Sequence, residues 1–427
     1  MSTTTTDKNR WLIAVSAILI HVSIGGIYAY SIYQNPLSET LGWAVSDVTL
    51  AFTISIFVLG LTAAFLGIFV ERYGPRIAGL TAAILYGIGT VGAGVSVQLQ
   101  SLPLFFATFG VIGGMGLGIG YISPISTLVA WFPDRRGMAT GMAVMGFGAG
   151  ALLTGPVGNF LIQQYSISTA FYGLGATYFV LMTLGASYLK KPPDGWLPSG
   201  MTEDDLAAED DEGGIWGDLE ELTAREARKT PRFWMVWLII FINVSAGIML
   251  LAFASPMLQS IGGASATTAA FIVGYIGIFN GAGRIAWSSL SDYVGRTAVY
   301  GAFFAIQIVA FFLMPQVSGV WILAGLLFLI ITCYGGGFAC LPAYLSDLFG
   351  TTEVGAIHGY SLTAWGLAGV AGPTLASVIL ESTGDYTTAL YIINVVLIAG
   401  LLTVGALRWR INTIEDAQTA PVTAAGD

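Results

Sequence analysis

Residues 67–76 read Gly67-Ile68-Phe69-Val70-Glu71-Arg72-Tyr73-Gly74-Pro75-Arg76, and residues 291–296 read Ser291-Asp292-Tyr293-Val294-Gly295-Arg296. Both carry acid-x-x-Gly, 221 positions apart, and both close a long apolar run with a charged turn. Two more pairs keep nearly that offset: Pro124 with Pro342 at 218, and Gly155-Pro156 with Gly372-Pro373 at 217. Near-equal offsets in the same order predict a duplicated unit, with two related halves. In apolar chains built this way a ligand site lies near the membrane midplane, between the halves.

Composition agrees. Of 427 residues, 55% are hydrophobic and 10% charged, with mean hydropathy +0.76. A soluble domain carries about 25% charged residues, so most of this surface faces something other than water. A spanning helix needs about 20 mostly apolar residues. Twelve such runs can be drawn: 11–33, 47–70, 77–97, 103–130, 136–162, 168–190, 232–258, 267–290, 296–315, 319–346, 354–381 and 387–408. The predicted fold is therefore an all-α polytopic membrane protein of twelve transmembrane helices in two six-helix halves. Residues 1–190 form the first half, 191–231 a linker, 232–410 the second half and 411–427 a tail. The first run lacks a small-residue cleavage site and reads as a retained helix. Cys333 and Cys340 read as small packing residues. The Gly-rich run 113–120 reads as a face for close helix packing, not as a phosphate loop, since no Walker lysine follows it.

Lys and Arg mark the cytoplasmic side. Fifteen of the sixteen fall on one side when both termini are cytoplasmic, which predicts a multi-pass protein of the cell (plasma) membrane. The linker is acidic: residues 192–231 hold twelve Asp and Glu against three Lys and Arg, a net charge equal to the −9 of the whole chain. It reads as a solvated connection, with Ile215, Trp216, Leu219 and Leu222 spaced to lie helically on the membrane surface. A nucleic-acid partner has no basic patch to meet.

The sixteenth cation, Arg284, falls inside the eighth run. Eight residues separate it from Asp292 at the helix end. That is about 12 Å at ~1.5 Å per residue, near the middle of a core about 30 Å thick. A charge at that depth is costly and functional by default. No acid falls deep in any run, so the expected partner is a carboxylate from outside the protein, which a planar guanidinium grips bidentately. Asn280, one turn earlier on the same face, can orient either partner. Tyr334 and Phe338, four apart, share a face, and Trp365 falls at mid-membrane depth. His21 is also near the midplane and shares a face with Tyr28. It is a candidate carrier of a coupled proton, against the plainer reading of a neutral histidine bonded across helices. No metal cluster, cofactor motif or nucleophile–base set is present, so the chain does not read as an enzyme.

The turns after the second and eighth runs resemble the cytoplasmic signature of the major facilitator superfamily. More specifically, the chain resembles the oxalate/formate antiporter family. Five segments carry that resemblance: Tyr28-Ala29-Tyr30-Ser31 with Asn35-Pro36; Trp131-Phe132-Pro133-Asp134-Arg135-Arg136-Gly137; Thr230-Pro231-Arg232-Phe233-Trp234; Phe279-Asn280-Gly281-Ala282-Gly283-Arg284; and Ser346-Asp347-Leu348-Phe349-Gly350. The resemblance implies a major facilitator fold and a substrate site built on Arg284, with Tyr28, Tyr121, Phe147, Tyr334, Phe338 and Trp365 as its aromatic wall. It implies a cytoplasmic gate at Glu71, Arg72, Arg76, Asp292 and Arg296. In the oxalate-transporting relative two cations hold a dicarboxylate, an Arg in the eighth helix and a Lys in the eleventh. Arg284 matches the first, while Trp365 stands where the second belongs. One cation balances one negative charge, so the expected function is alternating-access transport of a monocarboxylate such as formate, acetate, lactate or pyruvate. Oxalate/formate-type exchange is the alternative, and a non-transporting membrane anion sensor a second. The expected partners are the lipid bilayer, a small carboxylate and a coupled proton, with no cofactor and a monomer as the default.

Overall fold

The computed structural model describes residues 8–193, 196–198, 201, 219–350 and 353–419. Among these, twelve helices are long and apolar enough to span a bilayer: α1 Arg10–Leu41, α2 Val45–Ala63, α3 Arg72–Gln98, α4 Leu102–Leu128, α5 Met145–Gln164, α6 Ile167–Tyr188, α7 Pro231–Ser260, α8 Ala266–Val294, α9 Arg296–Gln316, α10 Val320–Phe349, α11 Val354–Thr383 and α12 Thr387–Ile414. Their number and order are those predicted. Polar residues start them in the usual way: the side chains of Asn9, Ser166, Thr230 and Ser265 accept hydrogen bonds from first-turn amides of α1, α6, α7 and α8. The last helix runs on to Thr419, so the segment read as a tail from 411 begins helical.

The duplication is visible in the backbone. Gly74 and Gly295 both have positive φ, 80° and 89°, a conformation that glycine adopts without steric cost. Pro124 and Pro342 lie inside α4 and α10, and Pro156 and Pro373 inside α5 and α11.

The halves meet along two seams, α5 against α8 and α2 against α11. Gly148 and Gly277 bring the first pair so close that a Cβ on Gly277 would lie 1.7 Å from the Gly148 carbonyl oxygen. At the second, a Cβ on Gly60 would lie 3.2 Å from Gly366 Cα. Small residues let backbones approach where no water is available to drive association. The Gly113–Gly120 run packs as predicted: a Cβ on Gly116 would meet the Tyr86 amide of α3 at 2.4 Å. On the face away from the basic residues the seams are closed by polar contacts. Gln34 donates to the Ala252 carbonyl (3.2 Å), the Ser46 amide donates to Glu381 (2.7 Å), and Asn159 donates to Thr267 (3.4 Å).

On the basic face, Arg296 pairs with Asp292 (2.5 Å) and with Asp347 at the end of α10 (3.5 Å). These pairs tie α8, α9 and α10 together within one half. In the other half Arg72 lies over the Tyr73 ring (5.5 Å) and Arg76 is exposed. The Glu71 side chain lies outside the described residues. Arg10 instead pairs with Asp134 (2.8 Å), joining the start of α1 to the turn after α4.

Residues 219–222, at the end of the linker, depart from the solvated expectation. Leu219 and Leu222 are half-buried against the second half, and their amides donate to the Asp347 and Phe349 carbonyls (both 2.9 Å). The reason is the end of α10, whose last carbonyls lack helical donors; a non-helical segment with two leucines supplies amides and covers apolar surface together. Residues 219–222 are not helical, and Ile215 and Trp216 lie outside the described residues. A capping box then starts the short turn Ala224–Ala227, whose Glu226 carboxylate is held below its ordinary range by hydrogen bonds from Thr223.

Candidate functional site

Six aromatic side chains from five of the spanning helices close into a ring. Tyr28 of α1 meets Phe147 of α5 (4.7 Å between centroids), Phe147 meets Tyr121 of α4 (5.8 Å), and Tyr121 meets Trp365 of α11 (5.7 Å). Trp365 meets Phe338 of α10 (5.2 Å), Phe338 meets Tyr334 (5.3 Å), and Tyr334 returns to Tyr28 (6.3 Å). Every contact is edge-to-face, a geometry that contributes about 0.5–1.5 kcal/mol beyond area burial. The ring crosses from one half to the other twice, at Tyr121–Trp365 and at Tyr28–Tyr334, where the hydroxyls are 3.4 Å apart. Tyr334 is seated by Gly247 of α7, where a Cβ would come within 2.3 Å of the tyrosine ring.

Arg284 stands on this wall. Its guanidinium lies over the Phe338 ring at 5.3 Å, and its Nε donates to Asn280 Oδ1 at 3.3 Å. Gly335 of α10 makes the seat possible, since a Cβ there would come within 2.5 Å of Asn280 Oδ1 and 3.2 Å of Arg284 Cγ. No carboxylate pairs with Arg284 among the described residues. A cation over an aromatic face gains about 2 kcal/mol when desolvated, well short of an ion pair at this depth. Two further buried donors point the same way: Trp365 Nε1 and Asn280 Nδ2 have no hydrogen-bond partner. Buried polar groups are normally satisfied. A free guanidinium edge and two orphan N–H donors in one aromatic enclosure are the complement of a small anion.

His21 lies behind the ring, edge-on to Tyr121 (5.9 Å) and Phe147 (6.4 Å). Its Nε2 donates to the Tyr121 carbonyl (3.2 Å). This is the cross-helix bond of the plainer reading. Nδ1 is buried without a partner.

All eight residues expected to bind substrate thus converge on one site. Gly247 and Gly335 were not anticipated; they show in sequence only as two of 56 glycines.

A family model described as the Major Facilitator Superfamily matches residues 14–373 and 244–423. The chain belongs to the major facilitator superfamily. Members of this superfamily similar to the chain include the oxalate:formate antiporter of Oxalobacter formigenes, 29% identical over 90% of this chain and 88% of that one. The apicoplast pyruvate carrier 1 of Toxoplasma gondii is 27% identical over 62% of this chain and 57% of its own. Monocarboxylate transporter 14 of mouse is 20% identical over 92% and 88%. A bacterial homolog of the human lysosomal transporter Spinster, solved inward-facing and unoccupied, superposes with a TM-score of 0.69 at 16% identity. That match covers 98% of this chain and 100% of the other, and bears on the fold. The major facilitator fold and the resemblance to the oxalate/formate antiporter family both stand. The chain is a membrane transporter and not an enzyme.

Proposed function

We propose that the protein carries a small monocarboxylate of the formate, acetate, lactate or pyruvate class across the cell membrane, by alternating access. The observation that carries this is Arg284, a cation without a carboxylate partner among the described residues, set into a closed aromatic ring. A monocarboxylate leaves the site neutral. A dicarboxylate would leave one negative charge uncompensated beside the half-buried Arg284, against a wall of aromatic side chains. Trp365, where a second cation would stand, offers a neutral N–H donor instead. The relatives named for formate, pyruvate and monocarboxylates agree with this substrate class. Binding lets Arg284 bridge to the N-terminal half through the anion, and the two seams let the halves rock. The basic face is cytoplasmic, the protein multi-pass in the plasma membrane, and one chain, with both halves, is a complete transport unit.

The test is uptake into proteoliposomes. Arg284→Gln should abolish it while the detergent-solubilised protein still melts cooperatively. Loss of a partner to a buried charge costs about 2–5 kcal/mol, at least ~30-fold. Uptake at the wild-type rate would sink the proposal.

Exchange of the oxalate/formate type is the second reading, favoured by the 29% identical antiporter. Trans-stimulation of formate efflux by external oxalate would establish it. Proton coupling at His21 fits either mode. Its unpartnered Nδ1, lying against Tyr121 and Phe147, is the atom that would take the proton.

A further inference from the structure

α1 does not stay an α-helix. From Gly25 to Tyr33 it winds as a 3₁₀-helix, nine residues long, before turning α-helical again at Gln34. Runs beyond three or four residues are uncommon, so something must require the tighter winding. Its consequence is geometric. With three residues per turn, side chains at i, i+3 and i+6 eclipse, whereas in an α-helix each step of three falls back by about 60°. Two rows result. Ile27, Tyr30 and Tyr33 face the core of the N-terminal half, where Tyr30 stacks on Phe52 and Tyr33 on Phe171. Tyr28, Ser31 and Gln34 form the other row, facing the C-terminal half. Tyr28 reaches Tyr334 of α10, and Gln34 reaches the Ala252 carbonyl of α7.

This row starts in the anion site and runs toward the outer seam. At about 2.0 Å per residue, each step is about 6 Å and the row spans about 12 Å, against about 15 Å from midplane to the edge of the hydrocarbon core. Its polar atoms are not fully used. Ser31 Oγ and Gln34 Oε1 are buried without partners, in side chains 1% and 2% exposed. Thr53 Oγ1, one turn along α2 from the Thr49 that Gln34 contacts, is also without one. Unsatisfied polar atoms are expected where a surface is buried in one conformation and wet in another.

We infer that Tyr28, Ser31 and Gln34 form a ladder of neutral hydrogen-bonding groups along which the anion passes between the Arg284 site and the outer face, with a Gln34 N–H freed from the Ala252 carbonyl when the outer seam opens. Each rung offers an O–H or N–H about 6 Å from the next. No rung carries a charge that would trap the anion. The 3₁₀ winding is what aligns them. This inference rests on the transport reading above, and goes beyond it by assigning the outer path.

The test is cysteine scanning in a background with Cys333 and Cys340 replaced by Ala, both being buried and unpaired in the native chain. Right-side-out vesicles carrying S31C, I32C, Q34C or N35C are treated with a small membrane-impermeant anionic methanethiosulfonate. S31C and Q34C should label at least tenfold faster than I32C and N35C, and saturating formate or pyruvate should change their rates. Equal or faster labelling at positions 32 and 35, the α-helical register, would overturn the ladder. So would no labelling at 31 and 34 in variants that still transport. Should S31C or Q34C misfold, Gln34→Leu serves instead: it keeps volume and removes the donors. Transport should slow several-fold with ligand affinity unchanged; a wild-type rate overturns the inference. The labelling pattern without carboxylate uptake would support the ladder and sink the substrate assignment alone.

Discussion

Replacing Trp365 with Phe isolates one hydrogen bond. The ring contacts to Tyr121 and Phe338, at 5.7 and 5.2 Å, are made by an aromatic edge that phenylalanine also has. What disappears is Nε1–H, buried and unpartnered in the empty site. If that group donates to a bound carboxylate, the bond is charge-assisted and worth about 1.5–3 kcal/mol, so affinity should fall about 10- to 150-fold. The empty protein should respond oppositely. An unsatisfied buried donor costs about 1–3 kcal/mol, and its removal offsets the poorer packing of the smaller ring, so the unliganded Tm should hold or rise. The assay is a thermal-shift titration with formate, acetate and pyruvate, checked by calorimetry. Opposite movements of affinity and unliganded stability are the signature. A Kd within twofold of wild type for every carboxylate would refute the role of Trp365 as an anion donor.

Other outcomes follow from the same geometry. Trp365→Lys adds a second cation facing Arg284 and should shift preference toward oxalate, read by competition against labelled formate; unchanged oxalate affinity would defeat the charge-count reasoning. Gly277→Ala drives a Cβ into the Gly148 carbonyl, and overpacking of this kind costs about 1–3 kcal/mol. It should abolish uptake by forcing α5 and α8 apart, while carboxylate binding weakens less. His21→Gln keeps an N–H donor for the Tyr121 carbonyl but cannot take up a proton. Proton-driven accumulation should vanish in it while exchange without a pH gradient survives, and accumulation at the wild-type level would remove His21 from coupling.

Much of the site is legible in the chain alone. Arg284 stands out because a charge cannot hide in an apolar run, and the Asn280 partnership follows from i, i+4 spacing on one helix. Tyr334 with Phe338 is legible for the same reason. The six aromatics could be gathered only through the family resemblance, since rings on five different helices have no shared periodicity in the chain. The seats at Gly335 and Gly247 were not readable, because what makes them necessary is a side chain from another helix. The end of the linker was misjudged for a related reason: the linker's acidity predicts solvation, but the unsatisfied carbonyls at the end of α10 recruit the amides of Leu219 and Leu222.

Sequence by itself determined the twelve spans and the paired motifs of the two halves, and it set Arg284 apart as the one cation inside an apolar run. These depend on the free energy of placing each residue in lipid or water, a nearly local quantity. Only the tertiary structure decided that the six aromatics close into one ring, that Trp365 and Asn280 keep donors free beside Arg284, and that α1 winds as a 3₁₀-helix beyond Gly25. Those depend on the packing of helices distant in the chain: at Gly25 a Cβ would sit 1.8 Å from the Phe147 carbonyl oxygen of α5, and no property of α1 alone encodes that approach.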